Sequence, residues 1–202
     1  MSQWNRSDSD TEDEVGLNDD YRETLAPGRQ NLGINRNYVG GWDASDAFRE
    51  FYQNWVDGMV ESFNLTRDQI RISVCSDTPT EYIVVAKSTT RDHLLGYIRF
   101  QEKTGNIELT NFSARLTRKA LGLGVSSKRH SLADVAGKHG EGFKVGALLM
   151  VRKGFQVRYE SSSYYWEFFL GGSPKDTLYC KFDPVKEQKP AADKRQKFIY
   201  LD

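Results

Sequence analysis

Two stretches of this chain hold residue types at spacings that could do chemistry. The first is Gly137-Lys138-His139-Gly140-Glu141-Gly142-Phe143-Lys144-Val145-Gly146, which runs into the apolar residues Ala147 to Val151. Glycines at 137, 140 and 142 free the backbone for tight curvature and close approach to a ligand, and the apolar run after them reads as a helix. A glycine loop that opens a helix suits phosphate, because its N–H groups converge there with the positive end of the helix dipole. The same composition also describes an ordinary glycine-rich turn that binds nothing. The second stretch is Glu50, Asn54, Asp57 and Glu61, each three or four residues after the last. On a helix that spacing is one polar stripe. A solvated face would explain the stripe equally well. Gly58 beside it would not be explained that way, since glycine weakens a helix interior by about 1 kcal/mol relative to alanine. A ligand or another backbone approaching closely would account for it.

The element that carries the stripe is well defined in the sequence. Asp43 or Ser45 can cap a helix that starts near Asp46, and Phe48, Phe51, Tyr52, Trp55, Met59 and Phe63 then recur at helical spacing. Strands are expected over Ile70 to Cys75, Tyr82 to Ala86, Tyr97 to Gln101 and Asn106 to Thr110, the last two joined by a turn at Glu102-Lys103-Thr104-Gly105. Arg115 to Leu121 reads as a short basic helix, followed by the small-residue segment Gly122 to Lys128. After the glycine loop and its helix, Phe155 to Glu160 and Tyr164 to Leu170 form a hairpin across Ser161-Ser162-Ser163. Leu178 to Phe182 is the last strand. The polar, glycine-punctuated segment from Pro27 to Gly41 reads as a lead-in loop. This order predicts an α+β fold, a layer of helices on a mixed, mostly antiparallel sheet.

The 202 residues balance 28 Lys and Arg against 28 Asp and Glu. Net charge therefore points to neither nucleic acid nor membrane. The charge is unevenly spread: residues 1–26 carry Asp8, Asp10, Glu12, Asp13, Glu14, Asp19, Asp20 and Glu23 against Arg6 and Arg22. Such a segment buries too little apolar surface to offset chain entropy, so residues 1–26 are expected to be a disordered tail. Residues 27–185 are expected to form the folded domain, and residues 186–202 a charged, loose C-terminal segment. No apolar run spans a bilayer and the start of the chain is polar, so an intracellular protein is expected. Cys75 and Cys180 lie far apart with no metal-ligand spacing, and the three histidines add none. Arg115, Arg118, Lys119, Lys128 and Arg129 lack interleaved aromatics, which makes nucleic-acid binding an unfavoured reading.

Familiar phosphate loops do not fit. A dinucleotide fingerprint needs a buried strand immediately before it, which residues 129–136 do not supply. A P-loop needs Gly-Lys-Ser/Thr, and Lys144 follows Phe143. The pairing of Glu50-x-x-x-Asn54-x-x-Asp57-Gly58 on a helix with Gly140-x-Gly142-Phe143-Lys144 much later resembles the GHKL ATPase superfamily, which includes gyrase, heat-shock chaperone, histidine kinase, MutL and MORC ATPases. The glycine loop looks closest to MORC-type sequences. The resemblance covers roughly residues 42–182 and implies a Bergerat-type two-layer sandwich that binds ATP and Mg²⁺ and hydrolyses ATP slowly under a nucleotide-controlled lid.

It also implies residue roles. Glu50 matches the general base, Asn54 the Mg²⁺ ligand, and Asp57 and Gly58 the wall beside the nucleotide. Gly137, Gly140, Gly142, Phe143 and Lys144 match the phosphate loop. Ser126, Ser127 and Lys128 match the lid. Where the family has Asp-x-Gly-x-Gly, this chain reads Asn111-Phe112-Ser113-Ala114-Arg115. Asn111 keeps an acceptor oxygen for an adenine amino group but loses the charge, and both glycines are replaced. The family's transducer domain is missing, so a fragment, or dependence on a protein partner or a homodimer, is expected. The alternative is a non-catalytic interaction module of the same fold.

Overall fold

A computed structural model describes residues 26–116, 118–122 and 142–185. In chain order these form β1 (Gly28–Asn35), α1 (Ala44–Phe63), β2 (Ile70–Thr78), β3 (Glu81–Ser88), β4 (Leu94–Gln101), β5 (Asn106–Asn111), α2 (Gly142–Arg152), β6 (Val157–Ser161), β7 (Tyr164–Gly171) and β8 (Thr177–Pro184). The class is α+β, as the element order predicts. The sheet differs from expectation. Instead of one mixed sheet there are two four-stranded sheets, ordered β1-β8-β7-β6 and β2-β3-β4-β5, and every neighbouring pair is antiparallel.

Local chemistry accounts for the boundaries. Asp43 caps α1: its Oδ1 accepts from the N–H groups of Ser45 at 2.8 Å and Asp46 at 3.3 Å, while Asp46 Oδ2 accepts from Asp43 N–H at 2.8 Å. Asn64 ends the helix in the left-handed region at φ 51°. In the β6–β7 hairpin Ser162 and Ser163 both take positive φ, 54° and 61°, the backbone that a two-residue turn needs to match strand twist. Two expectations fail. Residues Gly28–Asn35 are a strand, not part of a loop, because only Leu32 and Ile34 point into the core and their neighbours are polar or glycine. The basic segment after Asn111 forms only a 3-10 turn over Arg118–Leu121, pinned by the buried Ala120 and Leu121.

Each helix serves one sheet. Trp55, Val56 and Met59 of α1 pack on Ala86, Leu95 and Ile98 of the β2–β5 sheet. Gly96 permits this approach, since a Cβ there would stand 3.0 Å from Trp55 Nε1, which donates to Thr110 O at 2.7 Å. Ala147 and Leu148 of α2 pack on Trp166, Phe168, Leu178 and Phe182 of the other sheet. The helices meet through Ala47, Val145 and Leu149. Gly146 sets their separation: a Cβ there would lie 2.7 Å from the Phe51 ring and 3.2 Å from Ala47 O. Arg152 fastens the end of α2 to the turn before α1, donating to the carbonyls of Arg36, Tyr38 and Trp42 at 3.0–3.2 Å. No helix among the described residues is long and apolar enough to cross a membrane.

Candidate functional site

Glu50 and Asn54 of the α1 polar stripe stand against the other helix, whereas Asp57 is buried elsewhere and Glu61 is exposed. Glu50 lies one turn before Asn54, and the Asn54 amide fixes that turn by donating from Nδ2 to Glu50 O at 2.7 Å. Both side chains close on Gly142, the first residue of α2. A Cβ on Gly142 would overlap Glu50 Oε2 and stand 3.3 Å from Asn54 Nδ2. Any larger residue at 142 would displace the ends of the very side chains that the spacing singled out. The Glu50 side chain is 16% exposed, with Arg49 Nη2 only loosely placed at 3.7 Å from Oε1. The first turn of any helix presents N–H groups with no intrahelical partner, so α2 brings donors to the place where the carboxylate sits. Asn54 Oδ1 makes no hydrogen bond within the described structure and keeps its acceptor capacity.

The far end of the stripe is organised differently. Asp57 is buried, and its Oδ1 takes the Arg67 guanidinium at 2.5 Å, tying α1 to the 3-10 turn over Arg67–Gln69. Gly58 makes room for a side chain, not for a ligand or a backbone. A Cβ there would lie 2.8 Å from Asn111 Nδ2 and 3.3 Å from Ala114 Cβ. The Asn111 amide is committed internally: Oδ1 accepts from the N–H groups of Ser113 at 3.3 Å and Ala114 at 3.1 Å, and Nδ2 donates to Trp55 O at 3.3 Å. The acceptor oxygen expected to meet a base therefore shapes the turn after β5.

Phe143 and Lys144 also have defined places. The Phe143 ring meets Tyr159 edge-on at 6.1 Å, and Tyr159 OH donates to Phe143 O at 3.4 Å. Burial raises the Tyr159 phenol above its ordinary value, so it stays protonated and serves as a donor. Lys144 is fully buried and donates from Nζ to Gly122 O at 2.6 Å. That bond joins α2 to Gly122, four residues before Ser126 of the expected lid. Ser126, Ser127, Lys128, Gly137 and Gly140 lie outside the described residues.

Sequence reasoning missed Arg67 and Gly146. Nothing in the local pattern marks Arg67 as the partner of Asp57, ten positions away. Gly146 had a signal, a glycine inside a helical apolar run, but its partner Phe51 is distant in sequence. The two cysteines are both free, Cys75 exposed and Cys180 buried. Burial pushes the Cys180 thiol up to about 12, which makes it an unreactive core residue. Among the described residues no group of three or more His, Cys, Asp or Glu side chains could hold a metal ion.

Compared with known proteins, the chain matches no family model, no curated protein and no solved structure. Chemically, a helix N-terminus suits an anion, and a carboxylate and an amide side chain beside it offer oxygens to a water or hard cation.

Proposed function

We propose that the chain is a GHKL-type domain of Bergerat-like architecture that binds ATP with Mg²⁺ and hydrolyses it slowly, with the segment around Ser126, Ser127 and Lys128 as a nucleotide-responsive lid. The observation that carries this reading is the convergence of Glu50 and Asn54 on Gly142 at the start of α2. Two motifs separated by more than eighty residues in sequence meet at one point, and each removes the other's ordinary explanation.

The residues present fit the cofactor. The missing Cβ at Gly142 lets the Glu50 carboxylate sit against the start of α2, and Asn54 Oδ1 is a hard oxygen of the kind Mg²⁺ accepts when phosphates and water complete its shell. When bound, Mg²⁺ would neutralise charge on the phosphate oxygens. In this reading Glu50 holds and orients a water as general base. Asn54 holds the cation, and the N–H groups of Gly142 and Phe143 hold phosphate oxygens.

One observation favours the non-catalytic alternative. Asn111 spends its amide oxygen on Ser113 and Ala114. A base placed there would have to displace those bonds. Calorimetric titration of Mg-ATP together with phosphate release separates the readings. The enzyme reading expects Glu50→Gln to keep binding and lose about a hundredfold or more in turnover, the usual size of a general-base contribution. It expects Asn54→Ala to lose the Mg²⁺ dependence. Binding without turnover in wild type would establish the interaction module, and absence of Mg-ATP binding would end both nucleotide readings.

A further inference from the structure

The two sheets leave four edges, and they are not alike. β1 carries Arg29 and a register shift between Asn31 and Asn35. β6 is five residues long and alternates Arg158 and Glu160 into its pattern. β5 is held to α1 through the Trp55 bond to Thr110 and the Asn111 bond to Trp55. Each of these devices discourages a second strand from adding to an edge. β2 carries Arg71, Asp77 and an irregularity between Val74 and Ser76, the last two past the middle of the strand. Before that irregularity, Ile70 to Val74 is continuous, with Arg71 its sole charge. Ile72 and Val74 are 37% and 55% exposed, and no described strand pairs on the outer side of β2. Cross-strand register also places Tyr82, Phe100 and Ile107 in one row on the sheet face shared with Val74. All three are exposed.

We infer that β2 is a self-association edge, at which a second copy of this chain adds its own β2 antiparallel about a two-fold axis through Ile72. The occupant is argued from self-complementarity. In that register Ile70 lies opposite Val74 of the second copy, Arg71 opposite Ser73, and Ile72 opposite itself. No like charges oppose each other, and the apolar residues of both copies fall on one face. The register shift after Val74 ends the pairing before Asp77. The result is one continuous eight-stranded sheet, a closed two-fold assembly and not an open fibre. The inference is independent of the nucleotide site.

Sedimentation of the full chain across a range of concentrations tests it, with two variants. Val74→Lys places a charge against an apolar partner at an exposed position, and should weaken the dimer about tenfold or more while leaving the melting temperature of the monomer unchanged. Ile72→Cys in a Cys75→Ser background should give a disulfide-linked dimer on mild oxidation, because directly opposed antiparallel residues have Cα atoms about 4.5–5.5 Å apart, within disulfide range. A monomer at every concentration overturns the inference. So does a dimer that is indifferent to Val74→Lys, or one that fails to cross-link at position 72.

Discussion

The polar stripe of α1 meets two regions that hold carboxylate and amide side chains in opposite arrangements. At the first, Glu50 and Asn54 stand against the backbone of Gly142, and the Asn54 amide oxygen makes no hydrogen bond among the described residues. At the other, Asp57 and Asn111 are bound to Arg67, Trp55, Ser113 and Ala114. Glycine serves both regions, but at Gly142 it makes room for the ends of the Glu50 and Asn54 side chains, and at Gly58 for the Asn111 amide. A buried polar group whose partners are all internal contributes rigidity, whereas one with capacity left over is available to a ligand. Asp57 is built into the fold, whereas Glu50 and Asn54 are the stripe residues on which the proposed ATP site rests.

Substitutions can break or sharpen that contrast. The largest effect is expected from Gly142→Val, which pushes the Glu50 carboxylate and the Asn54 amide away from α2. If the site turns over ATP, displacement of about 1 Å at a catalytic group costs on the order of a hundredfold in rate. Folding should suffer much less, because the displaced atoms are the ends of flexible side chains; phosphate release and thermal melting measured together check both. Next comes Asn111→Asp, which introduces a charge at the end of β5. It also removes the donor to Trp55 O and sets carboxylate oxygen against carbonyl oxygen, so a loss of about 1–3 kcal/mol in urea unfolding is expected. Stability equal to wild type would show that the amide is not committed as described.

Gly58→Ala should be smaller. The gain in helix propensity, about 1 kcal/mol, opposes the displacement of Asn111 Nδ2 and Ala114, and a net change within about 1 kcal/mol follows. The smallest effect belongs to Asp43→Ala at the start of the same helix. The backbone N–H groups of Ser45 and Asp46 hold the Asp43 carboxyl below its ordinary value of 3.8. A carboxyl lowered on folding stabilises above its unfolded pKa and stops doing so as pH falls through its folded value. The variant should therefore melt slightly lower than wild type at neutral pH, and the gap should close in acid below pH 3.8.

Much of this could be read along the chain because the signals were local. Helical recurrence from Phe48 to Phe63 fixed α1, and the cap fell on Asp43, one of the two residues expected. The turn at Glu102 to Gly105 fixed the β4–β5 register, with Gln101 opposite Asn106. β1 was illegible because its inward positions are only Leu32 and Ile34, and what makes it a strand is the neighbouring β8. Two sheets could not be told from one, since strand pairing across long separations leaves no mark on either strand alone.

At the site, the sequence by itself determined which residue types stand on one face of α1 and that a glycine begins α2. Periodicity and glycine's lack of a Cβ are local properties. Only the tertiary structure decided that Glu50 and Asn54 meet Gly142, that Asp57 is occupied by Arg67, and that Gly58 receives Asn111. Each of those contacts joins segments brought together by packing helix on helix and helix on sheet. The same carboxylate and amide side chains fit an open site or a closed network, and the distances between segments choose between them.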